Sequence, residues 1–264
     1  MLKRSSTQLV LLWLILIPWS AHPAELAIVI DDIGYNKTLG ARAINLPGQV
    51  TIAVLPFAPH TQVLLKHAVT SGKDVIVHQP MESQRSPHAV REPDSLTLST
   101  DSQRFEEMLT AALDAVPMSI GLSNHTGSLL TQHHRPMQQL MVTLNRRGLY
   151  FLDSRTTPET VAMAVALENN VPAIQRDVFL DHNPDPDAIH DSFELALRVA
   201  RAKGHAVLIA HPYGVSLDYL ERRLANLPSD IGLINASALA QRAVKRQVRP
   251  TALAQLSHLT FLHK

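Results

Sequence analysis

Leu26-Ala27-Ile28-Val29-Ile30-Asp31-Asp32-Ile33-Gly34 is the stretch on which the fold turns. An unbroken apolar run meets two adjacent carboxylates and then a glycine, which reads as a strand buried on both faces and ending in a polar turn. The same grammar recurs at Val50 to Leu55, Asp74 to Val77, Ser119 to Leu122, Leu149 to Leu152, Ala173 to Arg176, Ala206 to Ala210 and Gly232 to Ile234. Between these runs lie amphipathic patterns with apolar residues three or four apart. Examples are Phe105, Met108, Leu109, Ala112, Leu113 and Ile189, Phe193, Ala196, Leu197, Ala200. The second pattern opens at Asp185-Pro186, an N-cap residue followed by the proline that a first helical turn tolerates. Continuous apolar strands alternating with helices predict an α/β fold with a parallel sheet, covered on both faces or closed into a barrel.

Composition narrows the function. The chain of 264 residues is 45% hydrophobic and 18% charged, enough to bury a sizeable core. An α/β barrel of about 250 residues is commonly a single domain, so two are not required. A formal net charge of +1 without long blocks of one sign argues against a nucleic-acid partner. With no cysteine, disulfides, zinc-thiolate sites, iron-sulfur clusters and a cysteine nucleophile are all excluded, and the 14 histidines become the informative residues. There is no fixed-period repeat and no low-complexity tract.

At the front, Lys3 and Arg4 precede an apolar run from Leu9 to Ile17, then Pro18, Trp19, Ser20 and small residues up to Ala24. The run falls well short of the roughly 20 residues a membrane-crossing helix needs, so residues 1–24 read as a cleaved signal peptide, leaving no stable membrane span. Removing Lys3 and Arg4 changes the formal net charge from +1 to −1. An exported chain without cysteine suits the periplasm. Residues 25–240 form the expected domain and 241–264 a C-terminal tail. The proline-bearing segment Glu82 to Ser99 lacks periodicity and reads as a long loop of the kind often found at functional sites.

Polar clusters recur where strands end: Asp31-Asp32, His78-Gln79-Pro80-Met81-Glu82, Asn124-His125-Thr126-Gly127-Ser128, Asp153-Ser154 and His211-Pro212. Loops from several strands converge at the carboxyl end of a parallel sheet, so these clusters should meet. His78, His125 and an aspartate would form a nitrogen and oxygen site suited to Zn²⁺ or a similar divalent ion. Taken singly, each has a plainer reading: a helix cap for the aspartates, a satisfied polar side chain for each histidine, a turn before a helix near Thr157 for Asp153-Ser154, and an exposed loop carboxylate for Glu82. His60, His67, His88, His133 and His134 read as surface residues.

Six motifs in order resemble those of the divergent polysaccharide deacetylases, the exported branch of the NodB-like carbohydrate esterases. They are Val29-Ile30-Asp31-Asp32-Ile33-Gly34, Val75 to Met81, Ser123 to Ser128, Tyr150 to Ser154, Asp177 to Asp181 and Ile209 to Pro212. The resemblance covers about Glu25 to Ala240. It implies an incomplete (β/α)7-type barrel with outer helices and a divalent metal, usually zinc, at its mouth, with Asp31 as catalytic base, Asp32 as metal ligand and His211 as acid. Ordinary members carry two histidines four residues apart. Here His78 matches the first, but Glu82 stands at the second position, so the third ligand is either Glu82 or, preferably, His125. Asn124-His125 occupies the place of an arginine-containing motif. The implied activity is removal of N-acetyl groups from an acetylated envelope glycan or peptidoglycan, with Asn124 steadying the oxyanion and Asp153, Ser154 and Glu82 lining the substrate side. The rival is a catalytically inactive carbohydrate-binding or envelope-scaffolding protein on the same fold.

Overall fold

The computed structural model describes residues 23–84 and 94–243. Apart from Pro23 and Ala24, the expected leader lies outside the described residues, as do His88 in the middle of the long loop and the tail beyond residue 243. Ala24 itself opens the first strand.

Each of the eight expected strands is present. In chain order the elements are β1 (Ala24–Ile33), α1 (Lys37–Ile44), β2 (Val50–Val54), α2 (Thr61–Thr70), β3 (Val75–Met81), α3 (Ser102–Ala115), β4 (Gly121–Thr126), α4 (His134–Arg147) and β5 (Tyr150–Asp153). They continue with α5 (Ala162–Glu168), β6 (Ala173–Gln175), β7 (Val178–Phe179), α6 (Pro186–Lys203), β8 (His205–Ala210), α7 (Gly214–Leu224) and β9 (Ile231–Leu233). The α3 and α6 faces named above are the buried ones, and the Asp185 side chain accepts from the Asp187 and Ala188 amides at the start of α6. Two expectations shift. The helix placed near Thr157 begins at Ala162, and β7 is a strand too short for any periodicity to reveal.

The strands pair in the order β6-β5-β4-β3-β2-β1-β8-β7, with β9 added on β1. All these pairings are parallel. Only Arg176 and Asp177 separate β6 from β7, the two ends of that order. Three Cα–Cα steps span at most about 11 Å, so the sheet has to curl until its edges nearly meet. This is the incomplete parallel barrel.

Alternation along the strands then sorts side chains onto two faces. Leu26, Ile28 and Ile30 of β1, Val75 and Val77 of β3, Phe151 of β5 and Leu208 of β8 belong to the layer between sheet and helices. Ala27, Val29, Ile76, Tyr150, Leu152, Val207 and Ile209 face the barrel interior. That interior is narrow: a Cβ on Gly121 would lie 2.5 Å from the Tyr150 ring. Ile234, Ala236, Leu239 and Ala240 join the inner cluster, and Ser237 Oγ donates to Asp74, just before β3. The amino-terminal end of the barrel is thus plugged, and the open end is where the strands finish.

Candidate metal centre

The strands do not stop where their apolar runs stop. β3 and β4 stay paired through His78↔Ser123, Gln79↔Asn124 and Pro80↔His125, so alternation governs the polar residues as well. His78 continues the inner row after Ile76, and Ser123 and His125 continue the inner row of β4 after Gly121. Asp31 follows Ala27 and Val29 on the inner face of β1. By the same rule its neighbour Asp32 should face outward, but the β1–β2 register shifts between Ile30 and Ile33, and Asp32 takes φ 57°. A bulge re-aims a side chain at modest local cost, and here it brings both aspartates to the mouth.

Three donor atoms meet there in a nearly equilateral triangle. Asp32 Oδ1 lies 2.8 Å from His125 Nδ1 and 3.2 Å from His78 Nε2, and the two imidazole nitrogens are 3.2 Å apart. Although buried and this close to both imidazole nitrogens, Asp32 Oδ1 makes no well-directed hydrogen bond, and a shared cation would satisfy it. Ligands on one tetrahedral Zn²⁺ at 2.0–2.1 Å stand about 3.3 Å from each other, which matches the triangle. Two nitrogens and one carboxylate oxygen form a donor set that zinc accepts, with room for a further ligand. His78 Nδ1 is bonded to Ser123 Oγ at 2.7 Å, an arrangement that fixes the ring and leaves Nε2 for the cation.

Two titratable groups flank the triangle. Asp31 is 2% exposed, with Oδ2 3.6 Å from His78 Nε2 and Oδ1 without a hydrogen bond. Burial pushes its pKa up, against the opposing pull of His78 and His211. For Asp32, burial acts in the same direction, but its contacts with His125 and His78 outweigh it and hold the carboxyl well below the usual range. Two adjacent carboxylates are thereby driven apart in proton affinity, the pattern that separates a proton carrier from a permanent anion. On the other side, His211 Nε2 is 4.0 Å from Asp32 Oδ2. Its Nδ1–H donates to Asp181 Oδ1 at 2.8 Å, while Asp181 Oδ2 accepts from the His211 amide and from Ser216 Oγ, both at 2.7 Å. Burial lowers the His211 pKa, but the bond to Asp181 and the negative charges of Asp181, Asp31 and Asp32 raise it further, to about 9. The ring stacks with Phe179 and with Tyr213 at centroid distances of 5.9 and 5.5 Å.

Other expected site residues are placed elsewhere. Asn124 is one residue out of phase with His125, on the helix-facing side and fully buried. Its Nδ2 donates to Thr126 O at 2.7 Å and its Oδ1 accepts from the Ser154 amide at 2.9 Å, so its amide is engaged on the side of the sheet away from the donor triangle. Asp153 shares that face and is also fully buried, accepting from the Arg155 amide and Thr160 Oγ1, so it braces a loop instead of touching substrate. Ser154 faces inward but is 2% exposed. Glu82 lies outside the donor triangle, and its Oε2 accepts from the Leu98 amide at 2.8 Å, tying Leu98 to the residue that follows β3. His134 is exposed and paired with Glu168, and His133 is exposed beside it.

Three residues escape a reading of motifs alone. Asp181, which holds His211, closes a motif whose carboxylate invites a role only once His211 is next to it. Ser123 could be found from its spacing of two before His125. Arg176 donates to the Ser154 and Arg155 carbonyls at 2.7 Å and lies 3.9 Å over the Phe179 ring. Its position follows from the β6–β7 link, which no local pattern announces.

Fold and site together define a curled parallel α/β half-barrel with a candidate metal centre at the carboxyl ends of its strands. The chain belongs to the divergent polysaccharide deacetylase family, whose model matches residues 28–240. YibQ of Escherichia coli strain K12, described as uncharacterized, is 37% identical over 216 residues, 81% of this chain and 67% of that protein. An uncharacterized protein of Haemophilus influenzae strain Rd is 33% identical over 221 residues, 84% of this chain and 78% of its own. The crystal structure of an uncharacterized protein from Agrobacterium tumefaciens C58 superposes with a TM-score of 0.78 at 23% identity, covering 84% of this chain and 92% of that one, and so shares the fold.

Proposed function

We propose that the protein is an exported, metal-dependent hydrolase that removes N-acetyl groups from an envelope polysaccharide or peptidoglycan. The observation that carries this reading is the Asp32–His78–His125 triangle flanked by a buried carboxylate on one side and an aspartate-held histidine on the other. Family membership supplies the substrate class, and the leader-like residues 1–24 support a periplasmic address.

Asp32, His78 and His125 would hold the cation, with zinc the best match to the donor set. When bound, a divalent ion supplies Lewis acidity for the amide carbonyl and makes hydroxide available near neutrality. Asp31, buried and raised in pKa, accepts a proton from the attacking water. His211, charged at neutral pH, gives its Nε2 proton to the departing amine, and Asp181, accepting Nδ1–H, orients the ring and stabilises the imidazolium that carries that proton. Acetate and a free amino sugar are the products.

The test is acetate release from N-acetylated glycans and peptidoglycan fragments by the zinc-loaded chain, with and without a chelator. Release that the chelator abolishes is expected, and Asp31→Asn or His211→Ala should lower it by about 10²–10⁴-fold with the fold retained. Glycan binding without any release by the metal-loaded protein would reject the hydrolase in favour of the binding-protein rival. Export is checked by fractionating cells that express the full chain.

A further inference from the structure

Among the described residues, the exposed aromatic side chains are Tyr35, Phe57 and Tyr213, at 56%, 52% and 47% exposure. All three follow the carboxyl ends of strands, and β2, β1 and β8 are neighbours in the sheet, so they fringe one arc of the mouth. Tyr35 and Phe57 form one wall of a groove of about 380 Å³ whose opposite wall is α3, and its lining includes Asp94, Arg104, Glu107 and Met108. The loops carrying the two rings are locked together. The Leu55 amide donates to Ile33 O and the His60 amide to Gly34 O, both at 2.9 Å, and a Cβ on Gly34 would come within 2.6 Å of Ala58 Cβ. Two large rings, each about half exposed, are therefore carried on interlocked loops beside the mouth, where exposed apolar surface carries meaning.

We propose that this groove is a sugar subsite: it holds a pyranose unit of the same glycan whose acetamido group is presented to Asp31 and His211. The inference rests on the deacetylase reading and extends it from a single sugar to a chain. A pyranose ring offers an apolar face of C–H groups and a rim of hydroxyls, and the groove offers two aromatic rings for the face and charged donors and acceptors for the rim. Tyr35 lies three residues beyond Asp32, so their Cα atoms are at most about 11 Å apart, close enough for one continuous chain to reach both sites.

The experiment uses oligomers of N-acetylhexosamine of increasing length. In the zinc-loaded wild type, kcat/KM for acetate release should rise by about tenfold or more from monomer to longer chains, and a Tyr35→Ala/Phe57→Ala variant should flatten that rise to within about twofold. An undiminished rise in the variant would overturn the subsite while leaving the deacetylase reading intact. If the wild type releases no acetate from any oligomer, that reading fails, and the subsite is judged by calorimetric binding of the same oligomers. Binding that tightens with length and weakens about tenfold in the double variant supports it. Equal affinity in both proteins, or none in either, rejects it.

Discussion

Replacing Asp181 with asparagine keeps the shape of the side chain and removes the charge that holds His211. In the wild type, His211 is raised from 6.5 to about 9, although its burial acts the other way. At 1.36 kcal/mol per unit, the surroundings favour the imidazolium by about 3 kcal/mol. Asp181 provides the hydrogen bond and the leading Coulomb attraction behind this, so its loss should return His211 to 6.5 or below, with burial then opposed only by Asp31 and Asp32. At pH 7.5 the protonated fraction would drop from nearly all to roughly a tenth, about a tenfold loss of the acid form. The asparagine can also turn an N–H toward Nδ1, which holds the ring in its neutral form and deepens the loss. Nuclear magnetic resonance titration of labelled histidine in metal-free protein reads the pKa directly, and the pH profile of acetate release reads its consequence. The alkaline limb should move to lower pH in the variant. For stability the sign is set by a folded pKa above the unfolded value: the contribution is complete below about pH 6.5 and fades as pH rises through about 9. The stability gap between wild type and Asp181→Asn should accordingly shrink in alkali. A His211 titration midpoint that stays put in the variant would refute the reasoning.

Ser123→Ala removes the partner of His78 Nδ1 and should weaken zinc affinity by about 10–100-fold in a competition titration with a chelating indicator. Unchanged affinity would show that Ser123 does not orient the ligand. Glu82→Gln should leave zinc stoichiometry, measured by elemental analysis, as in the wild type, whereas His125→Ala should lose the metal, and the opposite pair of results would restore Glu82 as third ligand. Gly121→Ala drives a methyl to within 2.5 Å of the Tyr150 ring in a filled interior and should cost about 1–3 kcal/mol in a denaturant titration. An unaltered midpoint would mean that the barrel interior is looser than described.

Much of the fold was legible in the chain because burial on both faces leaves a simple trace. Unbroken apolar runs such as Leu26 to Ile30 and Ala206 to Ala210 mark parallel strands, and the three-and-four spacing of Phe105, Leu109, Ala112 and Ile189, Phe193, Ala196 marks the helices that cover them. The candidate ligands were legible too, since a parallel sheet gathers at one end whatever follows its strands. Tertiary structure alone decided which polar residues at that end face the mouth. Pairing continues past the apolar run into Asn124 and Asp153, and period-two alternation then turns those two toward the helices while His125 faces in. Asp32 departs from alternation because a bulge reverses it, and Asp181 meets His211 because the curled sheet sets β7 beside β8. Local sequence records how a residue partitions between water and core. Which way a polar side chain points depends on strand register and curvature, and those are set by contacts between segments far apart in the chain.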